Sequence, residues 1–295
     1  MAEHHGAKRL RDWTEGLFAR FAFGFFHLLP LDAASALGGW LARSVGPLLG
    51  ISKRARLNLR HALPDISEAD IDRIVRGMWD NLGRVVAEYP HLNEFKLYEP
   101  GGRVTVEGVR EFVDTRGPKT RFIFFSAHLG NWEIATLAAK QSGLDVIAIY
   151  RAANNPFVDA IINEARGGGI ELVPKGSSAA RRAIGALAEG KHICMLVDQK
   201  MNDGIAVPFF GRDAMTAPAL ARLALRYDCV VLPCHVERVR GATFRFVTDP
   251  PIPLPRTGGS QADVHQLMTA VNAAVEGWVR RRPEQWFWLH RRWPD

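Results

Sequence analysis

The sequence has few of the features that mark a secreted or cofactor-dependent protein. It contains only three cysteines, Cys194, Cys229 and Cys234, and no Cys-x-x-Cys pair. An odd set of cysteines inside apolar segments is typical of buried thiols in a reducing cytosol. There is no His-Glu-x-x-His, Gly-x-Gly-x-x-Gly or Gly-x-Ser-x-Gly motif, and no set of ligands has metal-site spacing. We therefore expect neither a metal nor another cofactor.

No apolar run is long enough to cross a bilayer, which takes about 20 residues in a helix. The most apolar segment, residues 17–29, contains Arg20 and His27, and a second segment over residues 33–51 contains Arg43. No small-residue cleavage site follows the first segment, as a secretory signal requires. An aromatic-rich segment with basic residues before it is typical of a helix that lies in the membrane interface, so we expect peripheral or monotopic attachment. The alternative is a core helix of a helical subdomain.

Positive charge is in excess: 38 lysines and arginines face 31 aspartates and glutamates, which gives a net charge of +7. This excess favours an anionic partner, such as nucleic acid, an acidic membrane surface or a phosphorylated substrate. The sequence has no helix-turn-helix, zinc-finger or RNP motif, and its aromatic residues accompany apolar runs rather than a basic groove. We therefore expect an anionic membrane surface and a phosphorylated substrate, and no nucleic acid.

The pattern of apolar residues divides the chain into two regions. Residues 1–100 are predicted to be a mostly helical, membrane-interfacial region; in its last helix, residues 67–88, Ser67 is the predicted cap and Ile71 and Ile74 share one face. Residues 101–295 alternate apolar strands with helices, which predicts an α/β domain with a mostly parallel sheet flanked by helices. The predicted strands are residues 104–106, 122–127, 146–150, 170–173, 193–197 and 230–235, with 244–247 as an edge strand. The predicted helices are residues 134–140, 156–166, 177–189, 216–227 and 262–282.

The clearest chemical signal is in residues 121–133, Arg-Phe-Ile-Phe-Phe-Ser-Ala-His-Leu-Gly-Asn-Trp-Glu. A buried strand ends before His128, and a helix follows Asn131, its predicted N-cap. Side chains five apart on one helix point about 140° apart, so only a turn, which Gly130 permits, brings His128 and Glu133 together. Glu133 is then expected to accept a hydrogen bond from one ring nitrogen of His128 and to leave the other nitrogen as a general base.

The same two residues also have a purely structural interpretation. His128 is then an ordinary loop histidine, and Glu133 is a first-turn carboxylate that the helix dipole favours. The position at the carboxyl end of a strand supports the catalytic interpretation, because open α/β sheets bind ligands in crevices at that edge.

The motif His-Leu-Gly-Asn-Trp-Glu after an apolar strand resembles the lipid A late acyltransferases, which are relatives of the glycerolipid acyltransferases, where Asp takes the second position. Other segments resemble the same family in order along most of the chain, and the ordered series is far more specific than any one of them. These segments are residues 54–64, Tyr150-Arg151 with Asn155-Pro156, Val197-Asp198-Gln199, residues 207–211, residues 216–219, and Pro283-Glu284-Gln285-Trp286 with His290-Arg291-Arg292. Many relatives carry an N-terminal transmembrane helix, from which this sequence departs.

The resemblance implies a glycerolipid-acyltransferase-like fold and an acyl transfer in lipopolysaccharide biosynthesis. The implied donor is acyl carrier protein, and the implied acceptor is a hydroxyl of a phosphorylated glycolipid, a lipid A precursor, at the cytoplasmic face of the bacterial inner membrane. A thioester donor is activated enough to need no metal. The residues that the resemblance assigns to substrate or phosphate contact are Arg151, Asn155 and Arg166, and those that it assigns to shaping the site are Asp198 and Gln199.

Three alternative functions stay open at this point. In the first, the acceptor is another lipid: a glycerolipid, an ornithine lipid or a glycolipid. In the second, water takes the place of the alcohol and the enzyme is a thioesterase. In the third, the protein has the fold but no catalytic activity and is a lipid-binding module. A set of large apolar residues either lines an acyl channel or is plain core. This set is Phe124, Phe125, Trp132, Phe209 and Phe210.

Overall fold

The computed structural model describes residues 2–117 and 119–293, without the side chains of residues 2–8 and 177. Lys8, one of the basic residues before the aromatic-rich segment, is therefore among the residues whose side chains are not described. Residues 2–94 are mostly helical, as predicted. Their helices are α1 (Ala2–His27), α2 (Leu31–Val45), α3 (Ser52–Ala62) and α4 (Glu68–Glu88). Ser67 caps α4, because its hydroxyl accepts a hydrogen bond of 3.1 Å from the backbone N–H of Asp70. Ile71 and Ile74 on the inner face of α4 are buried.

Strands and helices alternate over the rest of the chain. The strands are β1 (Val104–Glu107), β2 (Phe122–Ser126), β3 (Val146–Tyr150), β4 (Glu171–Pro174), β5 (His192–Leu196), β6 (Ile205–Phe209), β7 (Arg212–Thr216), β8 (Val230–Arg240) and β9 (Thr243–Thr248). The helices are α5 (Val109–Val113), α6 (Glu133–Gln141), α7 (Pro156–Arg166), α8 (Ser177–Ala188), α9 (Ala219–Tyr227) and α10 (Ser260–Arg281).

The main sheet has the order β1-β9-β8-β2-β5-β3-β4, and only its β8–β9 pair is antiparallel. The predicted α/β fold with a mostly parallel sheet is therefore confirmed. β2 lies between β5 and β8, and all five of its residues are buried, as its continuous apolar run indicated. The prediction that residues 244–247 form an edge strand is wrong. β1 pairs with β9 in parallel, Val104 opposite Phe244, and takes the edge itself.

A second difference is the hairpin of β6 and β7, which the sequence pattern did not reveal. Pro208 lies within β6, where its missing N–H makes the segment read as a loop. Phe210 and Gly211 form the turn with φ of 53° and 70°. The hairpin also corrects the predicted helix over residues 216–227: Thr216 ends β7, and α9 starts only at Ala219 after Pro218.

The N-terminal helices pack against one another and against the α/β region. α2 crosses α4 so closely that a Cβ atom on Gly38 would lie 2.5 Å from the carbonyl oxygen of Gly83, which explains a glycine at both positions. α1 packs on α7, where Asn155 donates a hydrogen bond of 2.8 Å to the backbone carbonyl of Asp12. The predicted division near residue 100 stays a prediction. No helix of the described chain combines the length and the apolar character that crossing a membrane requires.

Candidate active site

The carboxyl ends of the central parallel strands bring the candidate residues to one edge of the sheet. His128 follows β2, and Asp198 and Gln199 follow β5, the direct neighbour of β2. Arg151 follows β3, which is the next strand beyond β5. The expectation that these strand-end residues share one edge is met.

The imidazole of His128 is held by Asp198. Its Nδ1 atom lies 2.8 Å from Oδ1 of Asp198, and the backbone N–H of His128 donates to Oδ2 at 2.9 Å. The indole N–H of Trp286 also donates to Oδ2, at 2.8 Å. Burial alone would raise the pKa of Asp198, but the charge of the His128 ring and the two hydrogen bonds from His128 hold that pKa well below its usual range. The ionised carboxylate fixes the proton on Nδ1, and Nε2, which lies 3.4 Å from Nε2 of Gln199, keeps its lone pair.

Glu133 does not accept the expected hydrogen bond from His128, so that part of the prediction is wrong. Its carboxylate instead accepts two hydrogen bonds of 2.8 Å from the guanidinium of Arg166 and one of 2.7 Å from the hydroxyl of Tyr89. The physical reason is the direction of α6: its first residue faces α7 and the turn that follows α4, and Asp198 fills the place beside Nδ1 of His128. Burial raises the pKa of Glu133, but the bonds to Arg166 and Tyr89 outweigh it and lower the pKa. Glu133 and Arg166 are thus a buried ion pair.

A buried polar network holds the turn between His128 and Glu133. The Asn131 amide donates a hydrogen bond of 2.8 Å to the Glu88 carboxylate, and the Asn81 amide donates one of 2.9 Å to the carbonyl oxygen of Gly130. Arg238 links the two, since its guanidinium binds Asn81 at 2.8 Å and Glu88 at 3.1 Å. Asn131 is not the N-cap that was predicted, because α6 begins at Glu133 and Trp132 takes the cap position. The side-chain oxygen of Asn131 still accepts a hydrogen bond of 3.2 Å from the backbone N–H of Glu133. The turn is therefore fixed by α4 and β8, elements that sequence reasoning did not connect to it.

The C-terminal segment closes the site. Leu129 and Trp286 form an isolated antiparallel β-bridge. The backbone N–H of Phe287 donates a hydrogen bond of 3.1 Å to the carbonyl oxygen of His128. The rings of Trp132 and His290 lie with centroids 5.2 Å and 5.1 Å from that of His128. The signature that contains Trp286 and His290 was visible in the sequence, but no spacing rule placed it beside a residue more than 150 positions away.

The remaining predicted site residues differ in their surroundings. Arg151 is exposed, and the nearest partner of its guanidinium is Asn154 Oδ1 at 3.5 Å. Asn155 caps α7 by accepting from Phe157 N–H at 2.9 Å, and its amide donates to α1. The structure thus gives Asn155 a structural role, and its contact with substrate stays a prediction.

An apolar cavity lies between α6 and the sheet. Trp132, Glu133 and Arg166 form part of its wall together with Phe124 and Phe125. Small residues of α6 and the hydrocarbon of several strands make up much of the rest: Ala135, Ala138, Ala139, Ala148, Cys194, Cys234 and Phe246. Phe209 and Phe210 are not part of this wall; they pack against Trp286, Trp288 and Trp293 in the core.

His128, Asp198 and His290 each bring one ligand-type atom within 4.8 Å of the other two, although no such cluster is visible in the sequence. Two imidazoles and a carboxylate are residue types that bind divalent transition metals. Here the Asp198 oxygens already accept three N–H groups, from His128 and Trp286. This hydrogen bonding is what a carboxylate needs to orient an imidazole.

A histidine oriented by a buried carboxylate at the carboxyl edge of a parallel sheet is the arrangement of an enzyme that uses a general base. Residues 5–295 match the family described as bacterial lipid A biosynthesis acyltransferase, and the chain belongs to that family. It is 26% identical over 242 residues to a lipid A biosynthesis myristoyltransferase of Escherichia coli (strain K12), which covers 80% of this chain and 73% of that protein.

Two further relatives in Escherichia coli (strain K12) cover more of the chain. A lipid A biosynthesis palmitoleoyltransferase is 23% identical over 277 residues, and a lipid A biosynthesis lauroyltransferase is 24% identical over 281 residues. Each alignment covers 90% of this chain and 86% of the relative. The family resemblance seen in the sequence is confirmed, and it supports an acyltransferase role in lipid A biosynthesis.

Proposed function

We propose that the protein transfers an acyl chain from an acyl carrier protein thioester to a hydroxyl of a lipid A precursor, with His128 as the general base. The main support for the proposal is the hydrogen bond between the His128 ring and the Asp198 carboxylate, in a chain that belongs to the lipid A acyltransferase family. An alcohol attacks a thioester slowly unless a base removes its proton as the new bond forms, and a neutral imidazole suits that task near pH 7.

The proposed reaction has two steps. First, Nε2 of His128 takes the hydroxyl proton while the oxygen bonds to the thioester carbon, and Asp198 stabilises the imidazolium that forms. Then the carbon–sulfur bond breaks, and the thiolate of the carrier receives the proton from His128. The products are the ester and the free thiol of the carrier. The proton taken from the hydroxyl ends on that thiol, His128 is regenerated, and the reaction needs no cofactor.

We assign Glu133 a role beside this pair rather than within it. Its charge lies close enough to His128 that the imidazole contributes to lowering the Glu133 pKa, so the carboxylate in turn stabilises the imidazolium. Its ion pair also fixes Arg166, whose guanidinium lies 5.3 Å from the ring centroid of Tyr150. Arg151 and Gln199, at the same sheet edge, are proposed to contact the substrate, Arg151 by pairing with a phosphate.

The apolar cavity beneath α6 is the proposed site of the acyl chain. Trp132 contacts the His128 ring and also lines the cavity, so the cavity and the base meet at one side chain. Alanines at 135, 138 and 139 leave room between α6 and the sheet. The depth of such a pocket decides which chain length it accepts.

The N-terminal helices supply the proposed membrane contact. Of the 19 large apolar side chains that are exposed in the described residues, 13 lie between Leu10 and Ile51. A patch of this kind marks an interaction surface, and the aromatic side chains of Trp13, Phe18 and Phe21 suit a lipid interface. Because the family acts on a membrane lipid, we propose that this surface lies on the cytoplasmic leaflet of the inner membrane, where anionic lipids attract the basic protein.

Product analysis tests the proposal. The protein is incubated with a panel of acyl carrier protein thioesters and membranes of defined lipid composition, with and without a lipid A precursor, and products are identified by mass spectrometry. We expect acylated precursor from the wild type, none from His128→Ala, and normal turnover from the distant His265→Ala. Acylation of only another lipid, or release of free fatty acid at full rate without an acceptor, would replace the proposed function by one of its alternatives.

A further inference from the structure

A second histidine, His290, lies beside His128, the proposed general base. The proposed reaction gives it no role. It lies in the C-terminal segment that closes the site, where its backbone carbonyl accepts a hydrogen bond of 2.7 Å from the amide of Asn58. Its ring stands edge-on to that of Phe287, with centroids 4.5 Å apart. The ring lies at 72° to the ring of His128, with the two centroids 5.1 Å apart.

The Nε2 atom of His290 is buried and has no hydrogen-bond partner among the described residues. An unpaired polar atom in the interior is unfavourable, so one that persists beside a reactive centre calls for an explanation. The neighbouring Asp198 does not supply a partner, since its oxygens bind His128 and Trp286. The ring of His290 is therefore left available to a group that the protein itself does not contain.

The surroundings keep this imidazole neutral. Burial, followed by the charge of His128, lowers the pKa of His290 to about 3, with Arg151 and Arg292 acting in the same direction and Asp198 opposing them. A neutral imidazole donates a hydrogen bond from one ring N–H without giving up its proton, as an electrophilic histidine does in other enzymes.

We propose that His290 is a catalytic residue that donates a hydrogen bond to the oxyanion of the tetrahedral intermediate. This inference rests on the proposed acyl transfer. When the hydroxyl oxygen bonds to the thioester carbon, the carbonyl π electrons move onto oxygen, and His290 stabilises that charge while keeping its own proton. The charge is released again as the carbon–sulfur bond breaks. His128 alone accepts and returns a proton.

The spacing of the two histidines suits this division of work. A ring nitrogen of His290 lies within 4.8 Å of one of His128. A hydrogen bond spans about 2.8 Å, so a reacting centre can place its attacking oxygen against one ring and its oxyanion against the other. Donors preorganised at the oxyanion position contribute about 10²- to 10³-fold to the rate in acyl transfer.

The test compares three substitutions in the full-length enzyme, assayed with acyl carrier protein thioester and lipid A precursor in vesicles. His290→Phe keeps an aromatic ring but removes the donor, whereas His290→Asn and His290→Gln keep an N–H group. We expect His290→Phe to lower kcat by about 10²- to 10³-fold with little change in KM, and at least one amide variant to recover part of the loss. His265→Phe is the control for replacing a histidine away from the site.

A donor with a thiocarbonyl in place of the carbonyl separates this role from packing. Sulfur accepts hydrogen bonds weakly, so the loss caused by His290→Phe should shrink towards onefold with a dithioester donor. Equal losses with both donors, or a His290→Phe enzyme as fast as wild type, would overturn the inference. If His128→Ala is also fully active the proposed function has failed, whereas a dead His128→Ala beside an unaffected His290→Phe refutes only the role of His290.

Discussion

The ring of His128 and the carboxylate of Asp198 meet across 70 residues of sequence, with Nδ1 and Oδ1 2.8 Å apart. The second carboxylate oxygen accepts the backbone N–H of His128, so one aspartate fixes both the ring and the main chain of the same residue. Trp286 holds that oxygen from the other side. The orientation of the His128 ring is thus set by the pairing of β2 with β5, and not by the local motif around His128.

Asp198→Asn tests this relationship. The amide has nearly the same volume, but it favours the tautomer that places a proton on Nε2, where the base needs a lone pair. In serine hydrolases the equivalent change costs about 10⁴ in kcat, and we expect a loss on the order of 10²- to 10⁴-fold here. Steady-state kinetics of Asp198→Asn and Glu133→Gln, both checked for folding by circular dichroism, should show the larger kcat effect at Asp198. The reverse order would restore Glu133 as the partner of His128.

Sequence reasoning singled out His128 but not the carboxylate that orients its ring, for a physical reason. The position of His128 follows from local signals, an apolar strand and a glycine-containing turn, which a single segment carries. The partner depends on sheet order, and β5 lies beside β2 although β3 and β4 come between them in the chain. Asp198 was found as a strand-end residue, but a carboxylate five positions from His128 looked like the nearer candidate.

The buried supports of the site were harder to predict. Nothing in the sequence around Glu88 and Arg238 marks them as special, and only their contacts with Asn81 and Asn131 show that they hold the turn between His128 and Glu133. In contrast, the mostly parallel sheet was predictable, because continuous apolar strands alternating with helices leave few other folds. Pro208 hid one hairpin from the same analysis.

Removing Arg166 should destabilise the protein in a pH-dependent way. Arg166→Met leaves the Glu133 carboxylate buried without its cation, which costs about 3–5 kcal/mol of unfolding free energy near pH 7. In the wild type the pKa of Glu133 is lowered by folding, so its contribution is complete above the unfolded pKa and is lost as pH falls through the folded pKa. In Arg166→Met, burial without the cation raises the pKa of Glu133. At acid pH the Glu133 side chain is then protonated, and the neutral form costs less to bury than the carboxylate.

The difference in unfolding free energy between wild type and Arg166→Met should therefore shrink as the pH falls from 7 to 4. The lower value is close to the ordinary glutamate pKa of about 4.3. Urea unfolding at several pH values measures it. Arg182→Met removes a partly exposed arginine of the surface, which pairs with Glu171 and Glu189, and it should have little effect at any pH. A pH-independent loss at Arg166 would mean that its packing on Tyr150, and not the ion pair, stabilises this region.

The exposed apolar face of α1 should carry membrane binding. Phe18 and Phe21 are 74% and 72% exposed, so their replacement leaves the core intact. Burying a phenylalanine in an apolar environment contributes about 1.5–3 kcal/mol, so Phe18→Asp and Phe21→Asp should each weaken binding to vesicles containing phosphatidylglycerol by about tenfold or more. Val239→Asp introduces the same charge at a side chain that is 58% exposed elsewhere, and it should bind as wild type does.

The wall of the cavity beneath α6 should determine which acyl chains are used. Ala139 is half-buried at that wall, so Ala139→Phe shortens the space without opening the core, whereas Ala139→Ser preserves its size. In competition between carrier-bound donors of increasing length, we expect Ala139→Phe to shift preference towards shorter chains by about tenfold or more for each pair of methylenes excluded, at about 0.8 kcal/mol per buried CH₂. Turnover of the shortest donor should persist, because Ala139 lies near the end of α6 that is remote from the turn after His128. Uniform slowing of all donors would instead mean that the acyl chain lies outside this cavity and that the substitution acts through the position of α6.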